Sequence, residues 1–472
     1  MSPSQSGIKI SRIWLLAFVA ILPISLIWAL SNPMFASPDE PAHMVRAQGV
    51  IRGDFSEPYL TDGIPTEAVT CMNFKPDVTA DCMDLVWSDP NVPRFSPTDT
   101  YPPLFHLLAG IPSLVVHGLG GAYVMRLWLA VLCSAGFALA ASILFQRSPS
   151  RWTILSVAMT LTPMVVFTSA TVNPSGITAA LSSVLWASGI SLIRPGLKTQ
   201  PSLVRGAFLG SAIVFPLLRR DALAWELIVF IVLIGYGNRE RFAELRRDRT
   251  VVVSLIATFA LMLVTWFAWS STASDSFVSN SASHGGGSWH SSIGNVYTYF
   301  LQMIGWFGWL DSPMSSEMFV LLLSTLAIFI TLAVTTDTNP ERRTTGMLLV
   351  ALFLVPILIG AIRYPYLQGR YLFPIFTGLC LIAGQALAGT ATTLVPQVRT
   401  IRILASLLAI SHFFAFAQNL RRYAVGRTGS WDFWREAAWS PPMFTNSIAL
   451  FLAFSSIVWA ACISGRLIRA TK

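Results

Sequence analysis

The sequence predicts an all-α polytopic membrane protein of about twelve transmembrane helices, with a long first extracytoplasmic loop. Three observations carry this expectation. Hydrophobic residues make up 54% of the 472 positions and charged residues only 12%, about half the charged share of a soluble domain. Apolar runs long enough to cross roughly 30 Å of hydrocarbon recur along the chain. Lys and Arg collect in alternate connections, the asymmetry that orients spans in a bilayer.

The first run, Ile13 to Leu30, follows Lys9 and Arg12. It is long for a signal-peptide core and no clear small-x-small cleavage site follows, so an uncleaved anchor is expected. The spans are placed at 13–31, 122–145, 152–172, 175–193, 203–218, 222–238, 250–270, 316–335, 345–362, 371–390, 403–418 and 443–465. With the N-terminus inside, the cytoplasmic connections hold Arg147 and Arg151, then Arg194, Lys198 and Arg205, then Arg239, Arg241, Arg246, Arg247 and Arg249. Arg342 with Arg343, Arg399 with Arg402, and Arg466, Arg469 and Lys472 complete that side. Both termini are therefore expected in the cytoplasm.

Residues 103–119 are apolar, but a span there would invert every later loop. They are expected to form a helix at the outer interface. The aromatic stretch 296–310 receives the same reading. The spans over 203–238 are short and meet at Leu218-Arg219-Arg220-Asp221, a break tolerated where helices line a cavity. No repeat is visible. The chain is expected to be one transmembrane domain, residues 1–472, with outer loops at 32–121, 271–315 and 419–442.

The net charge of +9 invites a nucleic-acid reading. The positive-inside pattern explains it instead, and no basic patch with interleaved aromatics supports nucleic acid. Of the five cysteines, Cys133, Cys380 and Cys462 lie in apolar runs. Cys71 and Cys82 share the first outer loop, where a disulfide worth roughly 3 kcal/mol is an open alternative to two free thiols. No P-loop, GxSxG elbow or HExxH motif occurs.

A charge at mid-bilayer costs about 2.5–3.5 kcal/mol, so charges held against span ends are candidates for function. The first group is Ser37-Pro38-Asp39-Glu40-Pro41-Ala42-His43-Met44-Val45-Arg46. A helix is expected to start there with Ser37 or Asp39 as N-cap, placing Asp39, His43 and Arg46 on one face. A capped helix with a favourable dipole is the alternative reading. The second group is Arg219, Arg220 and Asp221, which suits either a snorkelling anchor or a phosphate held by guanidinium forks.

Arg363-Tyr364-Pro365-Tyr366-Leu367-Gln368-Gly369-Arg370-Tyr371 is the third group, and its compact Gln-Gly-Arg-Tyr turn favours function over anchoring. The 419–442 loop, with Arg421, Arg422, Trp431, Asp432, Trp434, Arg435 and Trp439, suits an aromatic belt or sugar rings. His284 to His290 reads as a glycine-rich loop rather than a metal site.

At these residues the sequence resembles the predicted bacterial membrane proteins of domain of unknown function 2142, placed with the polytopic C-type glycosyltransferases. The motifs are Ser37-Pro38-Asp39-Glu40-Pro41-Ala42-His43 with Arg46-Ala47, Tyr101-Pro102-Pro103-Leu104, and Pro163 with Val172-Asn173-Pro174. Gly305 to Pro313 and Gln368-Gly369-Arg370-Tyr371 with Pro374 follow in the same order. The family pattern often has Asp after the Asn where this chain has Asn173-Pro174, and Lys near Arg219.

The resemblance implies a C-type glycosyltransferase-like fold and a polyprenyl-phosphate sugar donor used on the outer face of a bacterial cytoplasmic membrane. The acceptor would be an envelope glycan, glycolipid or protein. It implies inverting transfer with Asp39, assisted by Glu40, as the catalytic carboxylates. His43, Arg46, Arg219, Arg220, Gln368, Arg370 and Tyr371 are the substrate-binding candidates, with the arginines on the leaving phosphate. A divalent metal ion is a candidate cofactor, and Glu40 is the obvious second carboxylate for it. A lipid or glycan flippase or transporter is the rival reading, expecting ionisable residues deep in spans, where Glu226 is the only acid. A non-catalytic scaffold would leave the four groups apart.

Overall fold

The computed structural model describes residues 9–87, 93–98, 101–196, 200–219, 221–272, 289–335, 339–361, 367–389 and 397–469. Each of the twelve expected spans overlaps a helix where described, although residues 161–162, 170–172, 237–238 and 443–445 within them are not helical. In chain order the helices are α1 (Ile10–Ser31), α2 (Glu40–Ile51), α3 (Leu104–Gly110), α4 (Gly118–Arg147), α5 (Arg151–Thr160), α6 (Pro163–Ser169), α7 (Pro174–Ile193), α8 (Pro201–Val214) and α9 (Ala222–Tyr236). They continue as α10 (Arg239–Arg247), α11 (Arg249–Thr272), α12 (Trp289–Gly305), α13 (Ser316–Val334), α14 (Asn339–Ala361), α15 (Phe373–Gly389), α16 (Gln397–Val425) and α17 (Asn446–Arg469).

Among the described residues, 8 helices are long and apolar enough to cross a membrane, or up to 10 if two bent pairs each count as one. The pair α5–α6 bends by 65° because Pro163 cannot continue α5; Thr162 caps α6 by accepting from the Val165 amide. The pair α9–α10 bends by 118°, since Arg-Glu-Arg-Phe-Ala-Glu-Leu-Arg-Arg cannot follow α9 into hydrocarbon. The expected span at 203–218 is a shorter apolar helix, Pro201–Leu217, and that at 250–270 lies within the 24-residue helix α11.

The centre of the bundle is α7 and α15, packed against each other, with α4 and α8 also on α7, and α5 and α14 on α15. Nearly all of both central helices is buried. Small residues permit the close approach. A side chain on Gly378 would strike the Trp186 indole, whose Nε1 donates to the Pro374 carbonyl at 2.7 Å. Some serines on α7 return their hydroxyl protons to carbonyls of the same helix, as Ser183 does to Ala179 at 2.8 Å, which pairs those groups within the helix; Ser191 Oγ is buried without a partner among the described residues.

The segment 103–119 is α3 followed by a 3-10 turn, Ile111–Leu114. At that length it cannot span, as the charge argument required. Residues 296–305 belong to α12, which ends where Trp306–Phe307 pairs antiparallel with Ser312–Pro313. Cys71 and Cys82 are joined by a disulfide. Of the sequence candidates, Arg220, Arg363 to Tyr366 and His284 lie outside the described residues.

Candidate functional site

The site is built on the turn between α1 and α2. Asn32 ends α1, its side-chain Nδ2 donating to the Trp28 carbonyl at 2.9 Å. The chain then passes through two left-handed residues, Phe35 and Asp39, each at φ 63°. Non-glycine residues in that region are strained by about 1 kcal/mol or more and persist only where the surroundings enforce them. The enforcement here is visible. Trp309 Nε1 donates to the Phe35 carbonyl at 3.0 Å, and Asn173 Nδ2 donates to the Pro38 carbonyl at 3.0 Å.

Glu40 supplies the strongest restraint. Its carboxylate accepts from Arg126 Nε at 2.7 Å and Nη2 at 2.6 Å, and from the Val172 amide at 2.9 Å. Arg126 also donates to the carbonyls of Asn32 at 2.9 Å and Pro33 at 2.8 Å. Both side chains are fully buried. The structure thus separates the two expected carboxylates: Glu40 turns inward and its oxygens are taken, while Asp39 turns outward. Arg126 was legible as a charge inside an apolar run, the one signal of this kind that the span assignment passed over.

The Asp39 side chain is 44% exposed, and its Oδ2 accepts from Arg370 Nη2 at 2.8 Å. It sits at the N-cap of α2 but caps nothing with its side chain. Arg370 lies in a 3-10 turn, Gly369–Leu372, anchored by the Gly369 amide donating to Gln302 Oε1 at 2.8 Å. A side chain at Gly369 would collide with the Tyr299 carbonyl. Arg370 is 3% exposed, and its Nε has no hydrogen-bond partner among the described residues.

Arg219 approaches from the start of α9. Its Nε donates to Asp221 at 2.8 Å and its Nη1 to Ser175 Oγ at 2.9 Å. Burial works against the charge, but Asp221 and the Tyr101 and Tyr371 rings more than offset it, so its pKa is raised. The Tyr371 ring lies 4.2 Å from the Arg219 guanidinium and 5.6 Å from that of Arg370, between the two. Tyr101 closes the other side, with its ring centre 5.9 Å from Arg219 and 5.5 Å from the His43 ring.

His43 stands behind Asp39 and pairs with His106, Nδ1 to Nε2, at 3.2 Å. Burial drives its pKa down to about 3; Asp39 opposes this, while Arg370, Arg219 and Arg46 add to it. Arg46 does not share the Asp39 face. Its guanidinium donates to the Thr98 carbonyl and, at 2.6 Å, to that of Tyr101, holding those two residues. Gln368 caps the 3-10 turn through its backbone, its carbonyl accepting from the Tyr371 amide at 3.0 Å. Its side-chain Oε1 is buried without a partner among the described residues.

Asp39, His43, Arg219, Arg370 and Tyr371 therefore converge, joined by Tyr101, Asn173 and Ser175, which motif reading did not single out as site residues. Among the described residues no three His, Cys, Asp or Glu side chains gather to hold a metal. With Glu40 committed to Arg126 and Asp39 to Arg370, the donor set suits an anion rather than a divalent cation. A cavity of about 310 Å³ lies beside Ser150, Arg151 and Gln397, none of them a candidate of this site.

The 419–442 group divides. Arg422 is buried and donates to the carbonyls of Met72 at 2.9 Å, Lys75 at 3.1 Å and Val78 at 2.6 Å, all within the loop closed by Cys71–Cys82. Arg421 donates to the Gly429 carbonyl at 2.6 Å and lies 4.4 Å from the Trp431 ring. Trp431 and Trp434 are each 45% exposed.

The fold resembles that of ArnT from Cupriavidus metallidurans. The crystal structure of that protein bound to undecaprenyl phosphate matches with a TM-score of 0.51 and 12% identity, over 97% of this chain and 78% of that one. Its apo structure matches at 0.49 with the same identity and coverage. The first match shows a C-type glycosyltransferase fold. No curated protein matches significantly. The model of the family described as "Predicted membrane protein (DUF2142)" matches residues 22–379. Spanning the turn at Asp39, the α6–α7 junction and the Arg370 turn, that match makes this chain a membrane protein of the DUF2142 family.

Proposed function

We propose that this protein is an inverting membrane glycosyltransferase that moves a sugar from a polyprenyl-phosphate donor to a cell-envelope glycan, glycolipid or protein. The observation that carries the proposal is the convergence of an exposed Asp39 carboxylate with the buried guanidiniums of Arg370 and Arg219. Two fixed cations beside one reachable carboxylate match a leaving phosphate and a general base. The protein would sit in the bacterial cytoplasmic membrane with the site end of the bundle facing away from the cytoplasm and both termini in the cytoplasm, as the basic connections favour. The polyprenyl chain would run in membrane lipid alongside the helices. ArnT was crystallised with undecaprenyl phosphate, which is consistent with a polyprenyl-phosphate ligand here.

In this mechanism Asp39 takes the proton from an acceptor hydroxyl as its oxygen attacks the anomeric carbon. The bond from that carbon to the phosphate oxygen breaks, and the phosphate departs with its charge between Arg370 and Arg219. Asn173, Trp309 and the Glu40–Arg126 pair act at a distance by fixing the backbone that carries Asp39, and Arg46 holds Thr98 and Tyr101. No step passes through a metal.

The test is transfer of labelled sugar from a panel of polyprenyl-phosphate donors by the purified protein and by Asp39→Asn. Loss of transfer in the folded variant supports both reaction and base. Surviving transfer would move the base elsewhere. The transporter reading retains one observation, a Glu226 carboxyl that is buried in α9 with neither oxygen hydrogen-bonded among the described residues. Donor binding without turnover would favour it.

A further inference from the structure

The direction of α4 against α1 locates a second group of polar residues, separate from the Asp39 site. Arg126, near the start of α4, donates to the Asn32 and Pro33 carbonyls at the C-terminal end of α1. Phe145, near the end of α4, is buried in one cluster with Ile13, near the start of α1, and Leu467, near the end of α17. The two helices are thus antiparallel, and the 22 residues of α1 put about 30 Å between its ends.

The cavity of about 310 Å³ is lined by Phe145, Ser150, Arg151, Ile401 and Ile468 among others. It therefore lies at the end of the bundle remote from the Asp39 turn, among the last turn of α4, the starts of α5 and α16 and the end of α17. Its volume is at the lower end for a small-ligand site. The connections at this end carry the basic residues expected in the cytoplasm.

The walls divide by polarity. Phe145, Ile401 and Ile468 are apolar, as is Val398, which also lines the cavity and is 41% exposed. Two turns into the bundle on the same helix faces, Val398 is followed by Ala405 and Ile468 is preceded by Ala461, both exposed. Small apolar surface thus continues in register from the cavity along α16 and α17, which pack together.

The polar wall is Ser150 with Arg151. Ser150 Oγ accepts from the Trp152 amide at 3.2 Å, and its own proton has no acceptor among the described residues. Arg151 is half-buried, and its guanidinium has no hydrogen bond or ion pair among the described residues. No Asp or Glu is among the described lining residues. An arginine that only anchors a helix end extends into water, as the exposed Arg399, Arg402, Arg466 and Arg469 do. A half-buried guanidinium beside a hydroxyl donor, with no carboxylate in the wall, is a donor set for an anion.

We propose that this cavity holds the phosphate head of an anionic phospholipid of the cytoplasmic leaflet. Arg151 and Ser150 donate to the phosphate oxygens, and an acyl chain runs along the faces of Ala405 and Ala461. The lipid joins the ends of α4, α5, α16 and α17. It takes no part in sugar transfer, so the site stands whether or not Asp39 is the base of a transferase.

The test is titration of short-chain phosphatidylglycerol into the delipidated, detergent-solubilised protein, with bound lipid counted by native mass spectrometry. Arg151→Gln is expected to raise the dissociation constant about 10- to 100-fold, the equivalent of hydrogen bonds to a charged group. Arg399→Gln removes an exposed charge at the same end and should leave it within about threefold, because solvent and salt screen that charge. Ile401→Trp fills the cavity while keeping Arg151 and should show the same loss as Arg151→Gln, so it carries the test if Arg151→Gln fails to fold. Phosphatidylcholine of the same chain length and glycerol phosphate should both bind about tenfold or more weakly than phosphatidylglycerol.

Equal losses in Arg151→Gln and Arg399→Gln would show diffuse attraction to a basic surface and overturn the site. Unchanged affinity in both Arg151→Gln and Ile401→Trp overturns it as well. Phosphatidylcholine bound as tightly as phosphatidylglycerol overturns the anionic head, and glycerol phosphate bound as tightly overturns the lipid in favour of a free phosphate ester.

Discussion

The carboxylate of Asp39 meets the guanidinium of Arg370 at 2.8 Å across 331 residues of sequence. Asp39 is the exposed partner and Arg370 the buried one. A guanidinium held in place with its Nε unpaired has hydrogen-bonding capacity left over. A phosphate arriving beside it competes with Asp39 for the same charge.

Asp39→Asn is expected to lower the rate of transfer about 10²- to 10⁴-fold, the usual range for a general base. The side chain is exposed, so the melting temperature should change little. Steady-state transfer and a thermal melt on the same preparation check this; a folded variant with full activity rules out Asp39 as the base.

Arg370→Gln is expected to weaken polyprenyl-phosphate binding by about 10- to 100-fold, since hydrogen bonds to charged groups contribute about 1.5–3 kcal/mol. Arg370→Lys restores charge but not the fork and should fall between. Titration of the lipid phosphate measures both. Equal affinities in all three proteins would detach Arg370 from the phosphate.

Glu40→Ala should compromise the fold rather than the chemistry. It leaves the fully buried Arg126 without its counter-charge, a loss of about 3–5 kcal/mol. The double variant Glu40→Leu with Arg126→Met removes both charges and should recover part of that stability. Yield of monodisperse protein and its melting temperature decide the matter. A stable Glu40→Ala protein lacking only activity would return Glu40 to the catalytic set.

Stability should fall as the medium is acidified from pH 6.5 towards about 3. His43 is held neutral in the fold down to about pH 3 but takes a proton near 6.5 when unfolded. The unfolded chain therefore binds more protons throughout that window, so stability is present above it and lost below. His106, also lowered by burial, adds to the same slope. Melting temperatures across the window should show a shallower slope in His43→Gln than in wild type.

Reduction of Cys71–Cys82, or their joint replacement by serine, should loosen the loop whose carbonyls Arg422 holds. The loop-entropy model assigns the bond roughly 3 kcal/mol. Limited proteolysis should then cut between residues 72 and 81, while the helical bundle remains intact. Unchanged protease resistance would mean that Arg422 alone holds the loop.

Much of this protein was determined by its sequence. Apolar run lengths and the alternation of basic connections placed twelve helical segments, because burying backbone polar groups in hydrocarbon admits little else. Pro163 and the Arg-rich segment after Tyr236 account for the two bends, which the span assignment did not include. Asp39, Arg219 and Arg370 were legible as charges held against span ends, where solvation by water is about to be lost.

What only the tertiary structure decided is which charge faces which. Asp39 and Glu40 are chemically near-identical neighbours, and the left-handed turn at Asp39 sends one outward while Arg126 draws the other in. Helical spacing put Arg46 beside His43, yet the carbonyls of Thr98 and Tyr101 claim it. These outcomes depend on partners many residues away, and no local propensity encodes such pairings. A buried charge takes whatever counter-charge or carbonyl the packing brings to it.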